Sequence, residues 1–121
     1  MAEFYYIVPK NNGYAYLGQK PNGEYFLIPK GHENKDYELL FRTGTAAAEY
    51  IKTYLDDSYM PEIFWYSEEY ICPQCGGPLY VWKYVEANKS NSGYDEYLCT
   101  CRFCKDNRKI MKDKGIVINT P

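Results

Sequence analysis

The spacing of its cysteines limits what this chain can fold into more than any other feature. There are five: two in Cys72-Pro-Gln-Cys75-Gly-Gly and three in Cys99-Thr-Cys101-Arg-Phe-Cys104-Lys. Cys72 with Cys75, and Cys101 with Cys104, have the C-x2-C spacing. At that spacing a tight backbone turn aims two sulfurs at one ion and points N–H groups back at them. The pairs are 25 residues apart, and the excess over the usual length is a polar loop, EANKSNSG (86–93), whose closure costs little. Four sulfurs complete a tetrahedral set, so one cysteine is surplus. Cys99 would have to displace Cys101 and form a looser C-x4-C chelate with Cys104. The tighter spacing favours Cys101 and leaves Cys99 as a small core residue beside the site. The expectation is one structural Zn²⁺ per chain on Cys72, Cys75, Cys101 and Cys104, with iron of the rubredoxin kind as the alternative for the same donors.

A chain of 121 residues holds one domain, or a small domain with a smaller appendage, and a core of that size often needs a staple. The start, MAEFYYIVPK, carries an acid at its third position and no apolar stretch of the signal-peptide kind. No apolar run reaches the roughly 18–20 residues that span a membrane. The expected location is therefore cytoplasmic, where paired cysteines hold metals more often than they form disulfides. Charge is unevenly spread: residues 1–45 balance to zero, 46–98 carry −6 and 99–121 carry +4, together the net −2. An acidic middle argues against a general nucleic-acid coat, and a basic end keeps a local phosphate contact in play. Fifteen tyrosines suit half-buried sheets and recognition surfaces.

The fold expected is α+β. EFYYIV, YAYLG, EYFLI and YELLF read as strands of an antiparallel β-meander, with turns at Asn12-Gly13 and Pro21-Asn22-Gly23. Thr43 or Thr45 then caps a helix running to about Asp57, with Ala47, Tyr50, Ile51, Tyr54 and Leu55 on one apolar stripe that covers the meander. Pro61 ends it. The division expected is 1–57 for meander plus helix, 58–69 for a packed connector, and 70–121 for the metal-binding module. In that module LYVWKYV and YDEYLCT form two strands, and KDNRKIMKDKG fits a helix ending at Gly115.

On these cysteines and this order, residues 70–114 resemble the four-cysteine zinc-ribbon and treble-clef families. The resemblance implies a metal knuckle, a hairpin and a second ligand pair, followed by a helix in a treble clef or a further strand in a ribbon, for which GIVIN could serve; the helix signal over 105–115 favours the treble clef. It says little of function, since such modules bind DNA, RNA and proteins alike. By size and acidic composition alone the chain also resembles small phage-encoded inhibitors, including anti-CRISPR proteins, which would place it in a host cytoplasm.

Catalysis is not expected. A zinc deaminase needs a general-acid Glu separated from its His by one residue and a proline before its C-x-x-C; here His32 and Glu33 are adjacent and Pro73 lies inside the pair. An HNH-type nuclease needs a histidine in the hairpin, whereas the only one, His32, sits in the polar loop GHENKD and reads as a surface residue. There is no Walker loop, dinucleotide fingerprint or nucleophile elbow. What is left is binding. Tyr80, Trp82 and Tyr84 alternate, so they would share one strand face, either to stack bases or, as is commoner, to pack internally. Arg102 and Lys105 flank the second pair and would offset the charge of a tetrathiolate site; with Arg108, Lys109, Lys112 and Lys114 they make the one basic patch. The functional expectation is a non-enzymatic, zinc-stabilised protein acting on a macromolecular partner. That partner is expected to be a protein, the chain acting as an inhibitor of a nucleic-acid-handling machine. The alternative is a nucleic-acid-binding module using the basic C-terminal segment. No membrane and no small-molecule substrate is inferred.

Overall fold

The computed structural model describes residues 2–34, 36–113 and 116–120. The chain divides into two compact units, 1–66 and 67–121. Among the described residues it is mostly β-sheet with one α-helix, and the cysteine cluster lies in the second unit.

In the first unit β1 (Ala2–Pro9), β2 (Ala15–Gln19), β3 (Tyr25–Pro29), α1 (Gly44–Tyr54) and β4 (Tyr59–Tyr66) follow in order. The turn at Pro21-Asn22-Gly23 forms as expected: Gly23 takes φ 89°, a conformation that costs glycine little, and β2 pairs antiparallel with β3. The rest of the expected meander does not form. β1 pairs along its whole length with β4, from Ala2↔Tyr66 to Pro9↔Tyr59, so most of the stretch read as a connector is a paired strand. The reason lies in the YELLF run. Its Phe41 exchanges both backbone hydrogen bonds with Tyr5 (2.7 and 2.8 Å), while the Gln19 N–H donates to the Tyr37 carbonyl and the Leu39 N–H to the Leu17 carbonyl. This short segment therefore bridges β1 and β2, and the far side of β1 is left for β4.

Helix α1 starts where the sequence placed it, with the Thr43 hydroxyl accepting from the Ala46 N–H at 3.0 Å, a cap worth about 1 kcal/mol. Ala47 and Ile51 pack with Ile7 and Leu17 on one sheet face. On the other face Val8, Tyr16 and Ile28 form a second cluster, and Tyr6 stacks between Tyr16 and Phe64. The buried Tyr16 hydroxyl donates to the buried Glu38 carboxylate at 2.6 Å. Tyr16→Phe removes a donor to a charged group and is expected to cost about 1.5–3 kcal/mol in urea denaturation; an unchanged midpoint would mean that Glu38 does not depend on it.

The second unit opens with a single 3-10 turn, Glu68–Tyr70, and the Cys72–Gly77 turn. A four-stranded antiparallel sheet follows in sequential order: β5 (Leu79–Val85), β6 (Asp95–Cys101), β7 (Asn107–Asp113) and β8 (Ile116–Thr120). The helix expected over 105–114 is strand β7 instead, and its expected end, Lys114 and Gly115, lies outside the described residues. The run NRKIMKD has good helix formers, but Ile110 pairs with Tyr97 and is fully buried in one cluster with Leu79 and the cysteines. Packing on that face overrides propensity.

Candidate metal centre

Four sulfurs converge. The Sγ atoms of Cys72, Cys75, Cys101 and Cys104 all lie within 4.8 Å of one another, with Cys75–Cys101 at 3.4 Å and Cys72–Cys104 at 3.9 Å. A tetrahedral ion with metal–sulfur bonds of about 2.3 Å needs sulfurs about 3.8 Å apart. The geometry fits one ion with four protein ligands. No family model, curated protein or solved structure matches this chain.

Two loops of the same construction carry the ligands. In the first, the Cys72 N–H donates to the Gly77 carbonyl (2.8 Å) and the Gly76 N–H to the Cys72 carbonyl (2.9 Å). In the second, the Cys101 N–H donates to the Asp106 carbonyl (2.9 Å) and the Lys105 N–H to the Cys101 carbonyl (3.0 Å). The residue after each second cysteine has positive φ: Gly76 at 76° and Lys105 at 65°. Lys105 is the only non-glycine residue with positive φ among the described residues, and it sits where the repeat of the first loop requires it. Sequence reasoning missed this correspondence because it asks for glycine at such a position.

Gly77 matters for its size. A Cβ there would lie 2.6 Å from Phe103 Cδ2 and 2.9 Å from the Cys101 sulfur. Gly77→Ala is expected to weaken metal affinity by about 1–3 kcal/mol, the usual cost of overpacking, in competition with a chromophoric chelator. Affinity equal to the parent protein's would show that the loops can part without disturbing the ligands.

Burial and hydrogen bonding pull the thiols apart electrostatically. Burial pushes Cys101 up to about 12. Burial also acts on Cys75, but the Gly77 N–H and the neighbouring thiols outweigh it and bring it down to about 7. Cys99 is fully buried and outside the cluster, its thiol pointing at the Tyr97 carbonyl at 3.4 Å. The surplus cysteine is the one its spacing indicated.

The residues expected to meet a partner are mostly engaged within the unit. Arg102 is buried. Lys105 Nζ donates to the Arg102 carbonyl, and Arg108 reaches the Gln74 side chain of the first loop and lies 3.6 Å from Asp106. Lys109 lies 3.7 Å from Glu96. Lys112 is held by Glu69 and the Tyr70 hydroxyl over the rings of Tyr70 and Tyr97. Tyr80, Trp82 and Tyr84 do not share a face, because β5 bulges between Val81 and Lys83. The extra residue returns Tyr84 to the cysteine face, where it packs on Tyr97 at 4.9 Å, while Trp82 is half exposed. His32 is an exposed loop residue, as expected.

Proposed function

We propose that this protein is a non-enzymatic binding protein whose C-terminal unit is a zinc ribbon, and that it acts on a protein partner. The observation that carries the reading is the closed ligand set. Four protein sulfurs leave no coordination position for water or substrate, which is the mark of a structural rather than a catalytic zinc. Ribbon is favoured over treble clef because a strand follows the second loop. No helix among the described residues is long and apolar enough to cross a membrane.

The alternative of a nucleic-acid module is weakened by what holds the basic side chains. Arg108 and Lys112 keep only 9% and 16% of their side-chain surface exposed, and phosphate contacts need cations that reach solvent. The acidic stretch 46–98 favours a basic partner surface, such as that of a nucleic-acid-handling machine that the chain would occlude. Elemental analysis is expected to give one zinc per chain. Binding to a mixed oligonucleotide is expected to be undetectable at low salt; steeply salt-dependent binding, lost in a Lys109→Glu/Lys112→Glu variant, would overturn the preference for a protein partner.

A further inference from the structure

The outer edge of β4 is open, and its backbone orientation can be read from its neighbours. Tyr5 exchanges both hydrogen bonds with Phe41, away from β4, and the Lys10 N–H donates to the Ser58 carbonyl. Even-numbered residues of β1 therefore bond to β4, and their partners are Met60, Glu62, Phe64 and Tyr66. Backbone groups alternate direction along an antiparallel strand, so those of Tyr59, Pro61, Ile63 and Trp65 point outward, the Tyr59 N–H being taken by the Asp56 carbonyl at 3.4 Å. Pro61 occupies one of these outward positions, where a missing N–H costs the ladder nothing. Among the described residues β4 has no ladder partner besides β1, and Ile63 and Trp65 are 38% and 59% exposed.

A hollow lies along α1. Tyr50 packs against Phe41 and bonds to Tyr25, which places that flank of α1 over the β2 side of the sheet. The opposite flank, toward β4, carries Ala48, Ile51, Lys52 and Leu55, which with Asp56 and Asp57 line a cavity of about 350 Å³. Its floor is apolar, and its end near Tyr59 holds two exposed aspartates against one lysine. Hydrogen bonds from Ser58 hold the Asp56 carboxyl below its usual range.

We infer that the β4 edge is a docking site for an extended segment of a basic protein partner, added as a strand with apolar side chains beside Ile63 and Trp65 and a Lys or Arg toward Asp56 and Asp57. Backbone groups supply such pairing and alternate side chains its specificity. A second copy fits less well. In a symmetric antiparallel pairing of two β4 edges Pro61 would lack its N–H twice; a foreign strand meets Pro61 once. This inference rests on the reading of the chain as protein-binding, but all its residues lie within 2–66. Failure of the edge with zinc content intact would leave the zinc-ribbon reading standing.

The probe is a nine-residue peptide alternating threonine with valine and ending in two lysines, compared with the same peptide ending in two glutamates. With the zinc-loaded full chain, amide shifts are expected to concentrate on residues 48–66, and the lysine peptide to bind about tenfold more tightly. Ile63→Pro removes an outward N–H without touching the β1 ladder; it is expected to weaken binding about tenfold, the equivalent of one hydrogen bond, with an unchanged circular dichroism spectrum. Should that variant misfold, Asp56→Lys/Asp57→Lys is expected to abolish the preference for lysine. Equal affinity for both peptides, shifts elsewhere, or undiminished binding in the folded Ile63→Pro variant would overturn the inference. So would concentration-dependent shifts of the same edge without peptide, which would assign it to a second copy.

Discussion

Chelating the metal is expected to unfold residues 67–121 while residues 2–66 keep their helix and strands. Among the described residues the fully buried cluster of the second unit is Cys72, Leu79, Cys99, Cys101 and Ile110, so three of these five are cysteines and two of those are ligands. A core that small does not offset the chain entropy of the residues it orders. A structural zinc contributes about 10–16 kcal/mol in peptides that fold around it, as large as the whole net stability of an ordinary domain. The first unit has its own clusters around Ile7 and Tyr16 and holds α1, so the helical signal in circular dichroism is expected to survive a strong chelator while the dispersed amide resonances of 79–112 collapse. A chelated protein that keeps those resonances would show the metal to be dispensable. The pH dependence has a definite sign. Every ligand must lose its proton to bind, and a thiol at its ordinary value of 9.0, as in the unfolded metal-free unit, is protonated at neutral pH. Uptake therefore releases protons, and affinity is expected to fall as pH is lowered.

The second large effect separates two neighbours. Cys101→Ala is expected to abolish stoichiometric metal binding, whereas Cys99→Ala is expected to keep one metal per chain and to cost about 1–2 kcal/mol, the loss of a small buried side chain. Cobalt substitution reads the difference directly, since the intensity of the sulfur-to-cobalt charge-transfer band follows the number of thiolates. A band reduced by a quarter in Cys99→Ala would make Cys99 a ligand. Burial alone pushes the Cys99 thiol up to about 11 from its ordinary value of 9.0. A raised thiol contributes stability that is complete below pH 9 and lost as pH rises through 11. Alkylation of the native protein at Cys99 is accordingly expected to be slow below pH 9.

The site was far more legible in the sequence than the fold around it. Chelate spacing is a local property, so Cys72, Cys75, Cys101 and Cys104 could be named from their positions alone. The Thr43 cap and the Pro21–Gly23 turn were legible for the same reason. The pairing of β1 with β4 was not, because it depends on where Tyr37–Phe41 inserts, and no local pattern carries that. The Asn107–Asp113 strand was misread as helix because Lys, Arg and Met favour helices in isolation, and only the position of Ile110 behind the cysteines decides otherwise. The three aromatic residues of β5 were assigned one face because a period of two assumes an unbroken ladder; the bulge at Trp82 breaks it.

The β1–β4 ladder also bears on how the protein is made. Ala2 and Tyr66 are partners, so β1 cannot complete its ladder until the last residue of its own unit is made. Until then the apolar edge of β1, with Phe4, Tyr6 and Val8, has no ladder on that side, and pairings this distant in sequence form slowly. The C-terminal unit has the opposite character. Its strands pair in sequential order, and each waits only for the next. A nascent chain halted soon after residue 66 should therefore be the species most exposed to misassembly, and the later half, once its metal is found, the quicker to close.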